Sequence, residues 1–138
     1  MDNQKIIGMA LPITDSMLKN LKGRKETSLC KFTSQEIIPK NIKVGSKILF
    51  YYSGKILGES RVKKISLVNS KEISKKNKED LLISLEEFNE YIAGRINKRI
   101  LYIKIHKIKM YKKKVNPLYP VTMNGRYIRE KEYSLWRA

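Results

Sequence analysis

Five groups of residues have the types and spacing to do chemistry. Gly23 stands among Lys22, Arg24 and Lys25. A glycine turn lets backbone N–H groups and cations converge on one phosphate. The same composition also suits an ordinary helix end, where glycine caps and cations complement the dipole. Tyr51, Tyr52 and Ser53 follow Phe50 on one apolar run. In a strand Tyr51 and Ser53 share one face, and Phe50 and Tyr52 the other. One face belongs to the core; the other offers an aromatic platform for a base and a hydroxyl for its edge. Lys104, Lys107 and Lys109 lead into Lys112, Lys113 and Lys114, with Tyr102 and Tyr111 interleaved. This pattern fits contact along a phosphate backbone, and equally a solvated strand protected from edge pairing. Arg126, Tyr127 and Arg129 form a fourth group. Guanidinium groups stack on bases and fork onto phosphates, or pair with the nearby Glu130 and Glu132. Finally, Lys25 and Thr27 flank Glu26. A desolvated lysine can act as base toward a threonine hydroxyl.

The elements that must position these groups follow from periodicity. Lys5 to Ile13 reads as a strand closed by Pro12. Thr14 or Asp15 can cap a helix from Asp15 to Lys22, with Met17, Leu18 and Leu21 on one face and Gly23 ending it. Thr27 to Phe32 is a short strand, and Pro39 to Gly45 a polar connection. Ile48 to Tyr52 and Lys55 to Leu67 form a hairpin around Ser53-Gly54. Gly58 in the return strand marks a bulge or a close backbone approach. Val68 to Lys78 reads as a Lys-rich loop. Asp80 to Ile92 reads as a helix with Leu81, Leu82, Leu85, Phe88 and Ile92 on one face. Arg99 to Val115 is a long strand whose alternation slips near His106-Lys107, which predicts a bulge there. Met123 to Arg129 is a last strand or turn around Asn124-Gly125, and Tyr133, Leu135 and Trp136 pack back onto the domain. The order β-α-β-β-β-α-β-β predicts an α+β fold: a small mixed five- or six-stranded β-pseudobarrel with two main helices, one domain spanning 1–138.

Composition sets the partner class. Thirty Lys and Arg against 13 Asp and Glu give a net charge of +17 on 138 residues. Such a surface attracts polyanions, of which nucleic acid is the commonest in a cell. Lysine and isoleucine enrichment also follows base composition or heat tolerance. The distribution favours a basic face: from Tyr91 to Arg129 there is no Asp or Glu, but eleven Lys and Arg. A single Cys30 and a single His106 exclude an intramolecular disulfide, a Cys-rich zinc site and a two-histidine metal site. We therefore expect no metal and no cofactor. No run approaches the roughly 18 apolar residues of a membrane span, and the N-terminus lacks a signal-peptide pattern. The expectation is a cytoplasmic protein that does not enter a membrane.

The segment Gly45-Ser46-Lys47-Ile48-Leu49-Phe50-Tyr51-Tyr52-Ser53-Gly54, followed by Ile56-Leu57-Gly58-Glu59-Ser60-Arg61-Val62, resembles the signature of EVE domains in the PUA-like superfamily. Leu21-Lys22-Gly23-Arg24-Lys25 looks like the G-x-K element of ASCH domains, which belong to the same superfamily. The whole chain is similar in layout to an archaeal family grouped with them. The resemblance implies a pseudobarrel and nucleic-acid recognition. PUA domains bind structured RNA, EVE relatives grip a modified base, and some ASCH members hydrolyse modified nucleosides. It also implies a pocket where the first helix and its following loop meet the central strands. The first functional reading is a binding module for RNA or a modified base, not an enzyme. Its site would comprise Lys22, Gly23, Arg24, Lys25, Tyr51, Tyr52, Ser53, Lys104, Lys107, Lys109, Arg126, Tyr127 and Arg129. The alternative is a small ASCH-type amidohydrolase acting on a modified nucleoside, with Lys25 and Thr27 completed by Glu59. A third reading is a basic adaptor for a ribosome or protein, without a pocket.

Overall fold

The computed structural model describes residues 5–33, 36–76 and 81–137. Its elements run β1 (Ile6–Pro12), α1 (Asp15–Leu21), β2 (Glu26–Lys31), β3 (Lys47–Tyr52), β4 (Lys55–Asn69), α2 (Ser70–Lys76), α3 (Leu85–Ile92), β5 (Arg99–Val115), β6 (Arg126–Arg129) and α4 (Glu130–Arg137). One mixed sheet has the order β2-β5-β4-β3-β1-β6. All its pairs are antiparallel except β1 with β3. The fold is thus α+β, with a curved six-stranded sheet that does not close into a barrel.

Local chemistry sets most boundaries. Thr14 caps α1 by accepting from the Met17 amide, and Gly23 adopts φ +80° just beyond the helix. Ser53 and Gly54 both have positive φ, the geometry of a two-residue hairpin turn. The predicted bulge on β5 is present. Arg61 faces His106 while Glu59 faces Lys109, so β5 carries one extra residue there, and Lys107 takes φ +53°. Gly58 is a close approach: a Cβ there would lie 2.6 Å from the Lys109 carbonyl oxygen.

Three apolar clusters hold the layers. One lies between the sheet, α1 and the segment before β3, and includes Leu11, Leu21, Leu29, Ile42, Phe50 and Ile103. A second joins Ile73, Phe88 and Ile92 to Ile100 and Tyr102. A third places Tyr133 and Trp136 of α4 against Ala10, Leu49, Ile56 and Ile128.

Two expectations change. The Lys-rich segment after Val68 is not all loop: α2 forms there, anchored by a fully buried Ser70 and by Ile73 at 1 % exposure. The helix expected from Asp80 begins only at Leu85; Asp80 itself lies outside the described residues. Leu81 makes a parallel bridge to Ser28, and the Leu82 amide donates to the Ser28 carbonyl. Ser84 then starts α3 with a capping box to Glu87. The C-terminal residues expected to pack back form α4, although Leu135 stays exposed.

Candidate nucleic-acid interface

A strongly basic concavity forms where the start of β3, the start of β1 and the end of β6 meet the 39–46 segment. Gly45 turns the chain at φ +93°. Its amide donates to the Val62 carbonyl, and the Val62 amide donates to the Ser46 carbonyl. The Ser46 hydroxyl accepts from the Lys43 amide at 3.0 Å, and the Arg61 guanidinium donates to the Gly45 carbonyl at 2.9 Å. These bonds fix a cleft of about 930 Å³ lined by Lys5, Lys40, Lys43, Lys47, Arg61 and Arg129, with Glu130 the one acidic side chain in its wall. Six cations against one carboxylate give the cleft a strongly positive lining.

A second feature is the seam where the sheet fails to close. The end of β2 approaches the segment before β6, and Lys31 Nζ donates to the Met123 carbonyl at 3.3 Å across the gap. Behind Lys31 lies an apolar cavity of about 270 Å³, floored by Leu11, Ile13, Leu29 and Ile103 and walled by Met17, Tyr91 and Met123. Its polar points are Thr14, Glu87 and Lys31 itself. Burial pushes the Lys31 ammonium below the usual lysine range. The Ser16 hydroxyl, donating at 2.7 Å, holds Glu87 below the usual carboxylate range. On the other side of Lys31 a wider hollow of about 470 Å³ is lined by Phe32, Asn124 and Tyr127. Among the described residues no three His, Cys, Asp or Glu side chains come together as a metal site.

The residues singled out from the sequence fall in several places. Gly23 and the exposed Lys22 and Lys25 lie between α1 and β2. Arg24 turns inward, donating to Thr27 Oγ1 at 3.0 Å and to the Leu81 carbonyl at 2.8 Å. Tyr51 packs in the third cluster, Tyr52 donates its hydroxyl to Asp15, and Ser53 is exposed in the hairpin turn. Lys104, Lys107 and Lys109 lie on β5 and line neither the cleft nor the seam. Arg129 lines the cleft and Arg126 and Tyr127 line the hollow beside Lys31, but no residue of the Gly23 turn lines either. Arg129 is exposed and Tyr127 is half-buried. Arg126 is committed to Glu132 by a forked pair at 2.9 and 2.8 Å.

Nor do Lys25, Thr27 and Glu59 converge. Thr27 is fully buried and sits opposite Ile105, on the face of the first cluster. Glu59 sits opposite Leu49, on the other face. There its carboxylate accepts from Lys47 Nζ, from the Tyr111 hydroxyl at 2.7 Å and from the Tyr133 hydroxyl at 2.8 Å. Burial pushes Glu59 up, but these three donors outweigh it and leave its pKa lowered. The group ties α4 to strands β3, β4 and β5, and Lys47 is shared with the cleft lining.

The sequence did not mark Lys5, Lys31, Lys40, Lys43, Lys47 or Arg61 as site residues. The cleft cations come from five separate segments, so no local run marks them. The one available signal was Lys31, a cation at the end of a run that reads as a strand with a buried face.

No curated protein matches this sequence. Among solved structures, ASCH from Zymomonas mobilis superposes with a TM-score of 0.78 at 10 % identity, covering 95 % of this chain and 94 % of that one. A mutant of the same protein gives 0.77 at 11 % identity, covering 99 % and 97 %. The N-terminal domain of Staphylothermus marinus McrB gives 0.53 at 16 % identity, covering 81 % and 80 %. These likenesses are of fold alone. The model of the domain of unknown function DUF365 matches residues 6–130.

Proposed function

The chain belongs to the DUF365 family, and on that premise we propose that it is a nucleic-acid-binding module that grips RNA in the basic cleft. The observation that carries this is the cleft wall, with six cations to one carboxylate. Net charge alone would be satisfied by lysines spread evenly over the surface. Here cations from five segments face one concavity, as phosphate binding requires. The seam supplies what a phosphate site lacks. Its apolar cavity has a lysine amine at the lip, aromatic and methionine walls, and volume for one planar ring system. A single base, modified or not, fits that chemistry. The hydrolase reading has no assembled Lys25–Thr27–Glu59 set behind it.

Fluorescence anisotropy with labelled tRNA at low salt tests the proposal. Binding by the wild-type protein is expected, with at least tenfold weakening in a Lys40→Gln/Lys43→Gln variant that melts like wild type. Absence of binding at low salt contradicts it.

A further inference from the structure

Resting on that reading, we infer that the ligand is an extended single strand, running from the basic cleft over the β6 edge to the seam. Shared lining residues link the depressions. Arg129 lines both the cleft and a hollow of about 520 Å³ beside Tyr119. Tyr127 lines that hollow and the one beside Phe32 and Lys31. Lys31 lines that one and the apolar cavity. The four depressions are therefore consecutive.

Their walls alternate cations with rings, as a single strand alternates phosphates with bases. Tyr119 is the central station. It is 63 % exposed, so its ring is open to solvent. Arg126 stands over its ring at 5.3 Å, which leaves the opposite face for a planar partner. The platform is held from below by Glu132, which is only 5 % exposed. That one carboxylate takes the Arg126 fork and also accepts from the Leu118 amide at 2.8 Å. A buried ion pair thus fixes both the ring's neighbour and the backbone beside the ring. A packed surface needs no such support; a stacking platform does, because stacking requires a plane already in place. Duplexes hide base faces, so only an unpaired strand can use it.

The test compares an unstructured oligonucleotide with a blunt duplex of the same sequence, by anisotropy, on three proteins. These are wild type, Tyr119→Ala and Lys40→Gln/Lys43→Gln, with Tyr119→Phe as the ring-retaining control. The inference predicts tighter binding of the single strand by wild type. It predicts a loss of roughly fivefold or more in single-strand affinity for Tyr119→Ala, the scale of one lost stack, near-wild-type affinity for Tyr119→Phe, and no change for the duplex. Equal or tighter duplex binding, or unchanged single-strand affinity in Tyr119→Ala, overturns it. If the lysine variant weakens binding while Tyr119→Ala does not, the path over β6 falls and cleft binding stands. If nothing binds, both fall.

Discussion

At the scale of single residues, two carboxylates do more than their local sequence suggests. Glu132 is buried and balanced by the Arg126 fork. Removing one partner of such a pair strands the other charge in a poorly solvated place. Arg126→Ala should therefore cost about 3 kcal/mol of stability, read as a lowered urea midpoint. Glu59 is held ionised by Lys47, Tyr111 and Tyr133. Because its folded pKa is lowered, its stabilisation is present above the unfolded value. It disappears as pH falls through the folded value, below the ordinary glutamate range. Unfolding free energies measured through the acid range should show this loss in wild type and a shallower one in Glu59→Gln. The Arg126–Glu132 pairing was legible, since the two lie six residues apart across a strand-to-helix junction. The Glu59 cluster was not: Lys47, Tyr111 and Tyr133 are brought to it by three other elements.

At the scale of elements, the parallel contact of β1 with β3 depends on Gly8. A Cβ there would lie 2.0 Å from the Lys47 carbonyl oxygen, 2.7 Å from its carbonyl carbon and 2.8 Å from its Cβ, none of them the far end of a flexible side chain. Gly8→Ala should cost at least about 2 kcal/mol. Because Lys47 opens the cleft, the substitution should also weaken RNA binding, as read by anisotropy on the folded fraction. Strands with strong alternation or turn chemistry were legible in sequence, including the long β5 and its bulge at Lys107. The α2 helix was not, because Ile73 is its one apolar residue and gives no period to read. The Leu81-Leu82 pair shows the opposite failure. Its spacing extends the α3 apolar face, but pairing with Ser28 takes both residues into a strand-like bridge.

At the scale of the whole molecule, a charge of +17 favours a polyanionic partner without giving the place where it would bind. The acid-free stretch from Tyr91 to Arg129 drew attention to β5, yet of its cations only Arg129 reaches the cleft. Curvature of the sheet decides which charges meet, and curvature follows from the sum of bulges, close glycines and helix packing. Binding through the cleft should make RNA affinity strongly dependent on salt. Each phosphate contact contributes close to one unit to the slope of log K against log salt. Two charge-matched variants separate the cleft from the Gly23 turn: Lys40→Gln/Lys43→Gln and Lys22→Gln/Lys25→Gln. The account predicts a steep wild-type slope, reduced by about two in the first variant and unchanged in the second. A salt-insensitive affinity, or a loss confined to the second variant, would contradict it.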